Sequence, residues 1–146
     1  MLGVHHAAIC TADVGRSIRF WRDGLGFTEL FDHTFSGNWP ELFGANSHQL
    51  RSIFLGDPQI PDTGIVELVV MGGAGDAAAP APGPRHGFFL LSLQRDVDPT
   101  LSTLAALGFT DGVRRIGVST PAGATVPMAV IRAPDGVLVE LIGPPI

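Results

Sequence analysis

Apolar residues along this chain fall into short β-branched runs and longer stretches with a helical stripe. Four apolar positions spaced i, i+4, i+7 and i+11 predict one amphipathic helix: Val14, Ile18, Trp21 and Leu25. Asp98 followed by Pro99 predicts the N-cap and first position of a second helix. Three strand-like runs follow each helix, at 27–35, 49–55 and 65–71, then at 109–119, 128–132 and 137–142.

The chain repeats itself in the order of its motifs. Leu25-Gly-Phe-Thr28 recurs as Leu107-Gly-Phe-Thr110, and Val66-Glu-Leu68 recurs as Val139-Glu-Leu141. A strand-like run led by a histidine precedes each helix, at 6–10 and at 86–91. Each half therefore reads as a β-α-β-β-β unit.

The repeat predicts an α+β fold in which two tandem βαβββ modules form one curved mixed sheet around a cleft. The first module spans 1–71 and the second 85–146. The Gly/Ala/Pro-rich stretch 72–84 is the linker between them. We expect the two modules to form one structural domain.

Composition narrows the class of protein. With 146 residues, 45% of them hydrophobic and 16% charged, the chain can bury one sizeable core. A net charge of −5 argues against a nucleic-acid partner, and no apolar stretch approaches the ~20 residues that span a bilayer. The N-terminus has no signal-peptide pattern, and a single cysteine, Cys10, fits a reducing compartment, so we expect a cytoplasmic protein without a membrane partner.

Two glutamates lie in the middle of otherwise apolar strands, where a carboxylate requires a partner. Because the repeat places one histidine on the first strand and one glutamate on the last strand of each module, four side chains are expected to meet: His6, Glu67, His86 and Glu140. Two imidazoles and two carboxylates suit one divalent ion such as Ni, Co, Zn, Mn or Fe(II). His5 is expected to point to the opposite face from His6 and to be structural.

Several segments resemble the vicinal oxygen chelate superfamily (the glyoxalase, bleomycin-resistance and extradiol dioxygenase group). The resemblance lies in His6-Ala-Ala-Ile9 with Asp13, in 17–27, in His86-Gly-Phe-Phe89 and in 134–141, and it is strongest to the glyoxalase and methylmalonyl-CoA-epimerase-like branch. The sequence departs from this pattern at Gly87, where an apolar residue is usual, and in its Ala/Pro-rich linker.

The resemblance implies that His6, Glu67, His86 and Glu140 are metal ligands and that the ion stabilises an enolate or enediolate of a small carbonyl substrate. Glu140 or Glu67 would then shuttle the proton. This predicts a metal-dependent lyase or isomerase, and proteins of this fold are commonly homodimers.

Two other functions stay open. One is a natural-product-binding or antibiotic-binding resistance protein, for which aromatic residues would line an apolar pocket. The other is an Fe(II) extradiol-type dioxygenase, which uses two histidines and one carboxylate. An arginine facing the cleft would favour an anionic group on the substrate. The candidate substrate-binding residues are Phe35, Trp39, Phe54, Arg51 and Phe88.

Overall fold

The computed structural model describes residues 2–77, 79 and 83–146. The chain divides into two compact units, 1–77 and 78–146. Their boundary falls inside the predicted linker 72–84, of which residues 78 and 80–82 lie outside the described residues. How the two sheets are joined stays a prediction.

Unit 1 is a four-stranded sheet with helical segments inserted between its strands. Its elements in chain order are β1 (His6–Cys10), α1 (Val14–Ile18), a π-helical turn (Arg19–Gly24), β2 (Thr28–Ser36), α2 (Trp39–Phe43), β3 (Gln49–Gly56) and β4 (Ile65–Val70). The strand order across the sheet is β1-β4-β3-β2. β1 runs parallel to β4, and the other neighbouring strands are antiparallel.

Unit 2 repeats this topology with one helix. Its elements are β5 (Leu91–Gln94), α3 (Val97–Ala106), β6 (Arg114–Ser119), β7 (Thr125–Arg132) and β8 (Leu138–Ile142). The order β5-β8-β7-β6 matches that of unit 1, with β5 parallel to β8. The α+β class and the two βαβββ modules are therefore confirmed.

One face of each sheet packs against its helix. In unit 1 this face carries Ile9, Ile53, Leu55, Val66 and Leu68, all buried. In unit 2 it carries Ala129, Ile131, Val139 and Leu141, also buried. Burying a valine, leucine or isoleucine side chain contributes about 1.5–3 kcal/mol. Because strand side chains alternate, Glu67 and Glu140 lie on the opposite faces of their sheets.

The first helix begins at Val14, where the apolar stripe starts, and differs from the prediction in its later course, whereas the second differs at its start. The first is α-helical only to Ile18 and then widens into the π-helical turn, which buries the adjacent Phe20 and Trp21 together. The second begins at Val97 with Asp96 as N-cap, so the prediction of Asp98 as the cap was wrong.

Two predicted strands begin later than the apolar pattern indicated, and a glycine stands before each. The run 109–119 forms a strand only from Arg114, because Gly112 has φ +66° in a turn. The run 86–91 forms a strand only from Leu91, because Gly87 has φ +105°, outside the extended region. The prediction of a strand led by His86 was therefore wrong.

In the part of the chain that the structure describes, none of the helices has the length and apolar character needed to span a membrane.

Candidate functional site

In unit 1 the structure brings His6 and Glu67 together. Parallel pairing of β1 with β4 sets Ala8 opposite Glu67, so His6 lies two residues along on the same face. The His6 Nε2 atom is 3.4 Å from the Glu67 Oε1 atom. The imidazole is 38% exposed and the carboxylate 13%, so the pair can be reached from solvent although Glu67 is largely enclosed.

Ser52 is a partner of Glu67 that the sequence analysis missed. This buried residue on β3 donates its hydroxyl hydrogen to the Glu67 Oε2 atom in a short hydrogen bond. A hydroxyl-to-carboxylate bond of this kind is about twice as strong as a neutral one. Ser52 shares its face with Phe54, and Phe54 pairs with Glu67. This relation identifies Ser52 only when the strand register is known.

His5 also belongs to this cluster, contrary to the expectation that it points away. Its Nδ1 atom lies 2.8 Å from the His6 Nδ1 atom, and the two rings meet edge-on. Strand alternation does not apply because β1 begins at His6. One of the two Nδ1 atoms must carry a hydrogen for this contact to be attractive, so the contact couples the two rings' tautomers.

Aromatic side chains extend the site across the Glu67 face of unit 1. The Phe54 ring is 5.3 Å from the His6 ring and 4.3 Å from the Phe31 ring, centroid to centroid. Phe35 continues the row, 6.2 Å from Phe31. Phe31 and Phe35 are 37% and 40% exposed. We call His6, Phe54, Phe31 and Phe35 the aromatic row; Phe31 was not among the sequence candidates.

Arg51 lies on the face opposite Glu67, so the strand register gives no support to its predicted role in substrate binding, which stays a prediction. It follows Leu50 and precedes Ser52 on β3, and strand alternation turns it towards the helix side. Its Nε and Nη2 atoms donate to the two carboxylate oxygens of Asp32 at 2.9 and 2.7 Å. This hydrogen-bonded pair holds the pKa of Asp32 below its ordinary value and raises the pKa of Arg51.

The remaining aromatic candidates are placed separately. Trp39 on α2 donates its Nε1 hydrogen to the Phe35 carbonyl at 3.1 Å and stacks on Phe43. Phe88 lies in unit 2 before β5 and is 75% exposed. The two belong to different units, and of these two candidates Trp39 is the one that contacts a residue of the aromatic row, Phe35.

In unit 2, Glu140 has a serine partner of its own. Ser92 on β5 stands opposite Glu140 on β8, and its hydroxyl donates to the Glu140 Oε1 atom at 2.8 Å. The register gives Val130 the place that Phe54 has in unit 1, and Arg114 the place of Phe31. The second sheet therefore repeats the glutamate but not the aromatic row.

His86 is not brought to Glu140 by the sheet. It is exposed and lies in a bend five residues before β5 begins. Extending the β5–β8 register by one residue sets Leu90 opposite Leu138, in the position that His6 has opposite Ile65. The role of His86 as a ligand stays a prediction, and the register gives it no support.

Of the predicted four-ligand metal centre, only the half in unit 1 has its histidine and glutamate in contact, and within unit 2 the sheet does not bring His86 to Glu140. His6 and Glu67 suit half of one, because two ligands ~2.1 Å from a tetrahedral ion are about 3.4 Å apart, which is their observed separation. In unit 2, Leu90 takes the register position relative to Glu140 that His6 has relative to Glu67. Among residues 2–77, 79 and 83–146, no three His, Cys, Asp or Glu side chains form a group that could hold an ion.

The whole chain was compared with protein-family models and with known proteins. Residues 3–141 match the family model of the Glyoxalase/Bleomycin resistance protein/Dioxygenase superfamily. A lactoylglutathione lyase-like protein, terB of Aspergillus terreus, is 28% identical over 97% of this chain and 75% of its own.

Two solved structures share the fold. A glyoxalase family protein of Bacillus cereus superposes with a TM-score of 0.74 at 18% identity, covering 98% of this chain and 94% of its own. The trypanothione-dependent glyoxalase I of Leishmania major superposes with a TM-score of 0.60 at 22% identity, covering 95% and 84%.

Proposed function

The chain belongs to the Glyoxalase/Bleomycin resistance protein/Dioxygenase superfamily, and from this premise we propose that it is a lyase or isomerase of a small carbonyl compound. The observation that carries the proposal is the contact between His6 Nε2 and Glu67 Oε1 on an accessible sheet face. A carboxylate and an imidazole in contact are the groups that move a proton at a carbon next to a carbonyl. The name of the Aspergillus terreus relative supports the lyase class.

Glu67 is the proposed base. Its Oε2 atom is held by the Ser52 hydroxyl, which fixes the carboxylate plane and leaves Oε1 towards His6. The C–H bond of the substrate breaks, its proton goes to Oε1, and the electron pair becomes an enolate. His6, carrying a hydrogen on Nε2, donates a hydrogen bond to the enolate oxygen; the proton then returns from Glu67 to carbon.

The aromatic row supports a substrate with a flat apolar part. Phe54 and Phe31 present adjacent, tilted rings beside His6, and the face of a ring is where a planar unsaturated group packs best. Phe35, Trp39 and Phe88 are the other substrate-binding candidates, and Phe35 is the one that continues this row.

Hydrogen–deuterium exchange at the substrate carbon tests the proposal directly. Candidate substrates are the hemithioacetal of an α-ketoaldehyde, methylmalonyl-CoA and an aromatic ketone. Exchange at the carbon next to the carbonyl is followed by NMR in deuterated water. We expect exchange with the wild type and a loss of about 10²–10⁴-fold in Glu67→Gln. Asp23→Asn, the same change at an exposed residue outside the site, is the control.

Glu140→Gln separates the two glutamates that the sequence nominated. If Glu67 is the base, exchange survives this substitution. Full exchange in Glu67→Gln together with loss in Glu140→Gln would transfer the role to unit 2. Full exchange in both variants would refute carboxylate catalysis at either residue.

A second candidate function is sequestration of a flat natural product without turnover. The observation favouring it is that Phe31 and Phe35 are exposed in the aromatic row that begins at His6. Saturable binding measured by calorimetry, with no exchange for any bound compound, would favour sequestration over catalysis. The dioxygenase alternative requires a second histidine ligand, and the strand register supplies none within either unit.

A further inference from the structure

The two sheets can be compared position by position through their strand register. Ala8 stands opposite Glu67 in unit 1, and Ser92 stands opposite Glu140 in unit 2. Two residues before Ala8 is His6, and two residues before Ser92 is Leu90. The counterpart of the imidazole is therefore an apolar, half-buried side chain.

His86 cannot take the place of Leu90 by a small adjustment. It is four residues further towards the N-terminus, which is up to about 14 Å of extended chain. Gly87 follows it with φ +105°, a conformation that L-residues with side chains rarely adopt and that turns the chain before β5. If β5 shifted along β8 until His86 stood opposite Leu138, the turn at Gly87 would have to become extended. Ser92 would then no longer pair with Glu140.

Each glutamate also has a hydrogen-bond donor inside its own unit. Glu67 accepts from Ser52 and contacts His6, while Glu140 accepts from Ser92. The two serine donors come from opposite neighbours of the glutamate strand, β3 in unit 1 and β5 in unit 2. The buried carboxylate of Glu67 is thus stabilised without requiring a cation.

We infer that Leu90, and not His86, is the counterpart of His6, and that the His6–Glu67 pair works without a resident divalent ion. The symmetric centre of two histidines and two glutamates is then absent from this chain. The positions of these ligands do not depend on the substrate, so metal binding is the readout of the experiments.

The first experiment compares wild type with His86→Ala. Both proteins are purified without added metal or chelator, their metal content is measured by mass spectrometry, and Ni²⁺, Co²⁺, Zn²⁺ and Mn²⁺ are titrated by calorimetry and thermal shift. We expect less than a tenth of an equivalent of ion in each and indistinguishable titrations.

Loss of a stoichiometric ion in His86→Ala would overturn the assignment of Leu90. One equivalent retained by both proteins would overturn the ion-free pair. Neither result depends on whether the protein turns over a carbonyl substrate, so failure here is distinct from failure of the proposed function.

The second experiment gives unit 2 a histidine at the register position that His6 has in unit 1. Leu90→His is expected to tighten Zn²⁺ or Ni²⁺ binding at least tenfold relative to wild type, while Leu90→Gln, polar but a poor ligand, leaves it unchanged. Thermal shifts in metal-free buffer verify that both variants fold. Unchanged affinity in a folded Leu90→His protein would contradict the assignment of this position.

Discussion

The hydrogen bond from Ser52 to Glu67 gives the sharpest stability prediction. Ser52→Ala removes one hydroxyl group at a site that is 2% exposed and leaves the Glu67 carboxylate, 13% exposed, with His6 alone. Hydrogen bonds to charged groups contribute about 1.5–3 kcal/mol, and water has little access to replace this one. We therefore expect the free energy of unfolding to fall by about 1.5–3 kcal/mol.

The repeat offers a matched control, Ser92→Ala. It removes the serine hydroxyl that donates to Glu140, but Ser92 is exposed and water can replace that hydroxyl. The expected loss is within about 0.5 kcal/mol, as for ordinary surface substitutions.

Urea titration with two probes measures both variants. The two tryptophans, Trp21 and Trp39, lie in unit 1, so their fluorescence follows the unit that contains Ser52, while far-UV circular dichroism follows the whole chain. A double-mutant cycle of Ser52→Ala with Glu67→Gln isolates the pairwise term, expected at about 1–2 kcal/mol. Equal losses in the two serine variants, or a coupling near zero, would refute the idea that burial makes this bond strong.

Three further predictions test other parts of the fold. Because Arg51 lowers the pKa of Asp32, their exposed ion pair contributes stability above the unfolded carboxyl pKa of ~3.9, and that contribution is lost as pH falls through the lower folded value. Asp32→Asn is thus expected to cost about 0.2–1 kcal/mol at pH 7 and less at pH 2; an equal cost at both pH values would contradict the electrostatic origin. Leu141→Ala, at a fully buried position of unit 2, is expected to cost about 2–5 kcal/mol by circular dichroism, and a cost under 1 kcal/mol would mean that the site is not enclosed. Asp13→Ala removes the cap that accepts the Arg16 backbone hydrogen at 3.1 Å and should cost about 0.5–2 kcal/mol, whereas Asp13→Asn retains most of that stability.

The sequence analysis succeeded where the signal is local or repeated. Alternation and the duplicated Val-Glu-Leu motif identified β4 and β8 to within a residue at each end, and they placed a glutamate facing away from the helix in each sheet. Strand register confirmed that Glu67 shares a face with the first strand's histidine.

Prediction from the sequence failed where a single residue changes the path of the chain. Gly87 was noted as a departure from the resemblance, and its positive φ separates His86 from β5. Arg51 shows the other limit: alternation puts it on the face opposite Ser52, but only the register with β4 shows which of these two faces carries Glu67. Its bidentate pairing with Asp32 is a contact between two strands that are distant in sequence.

The sequence by itself determined the two βαβββ modules, the apolar face of each sheet and the glutamate in the middle of each last strand, because these follow from periodicity and from an internal repeat. Only the tertiary structure decided the glutamates' partners, Ser52 and His6 for one and Ser92 for the other. The physical reason is that strand pairing is non-local: a partner is selected by register between strands distant in sequence, and a shift of one residue moves a side chain to the other face.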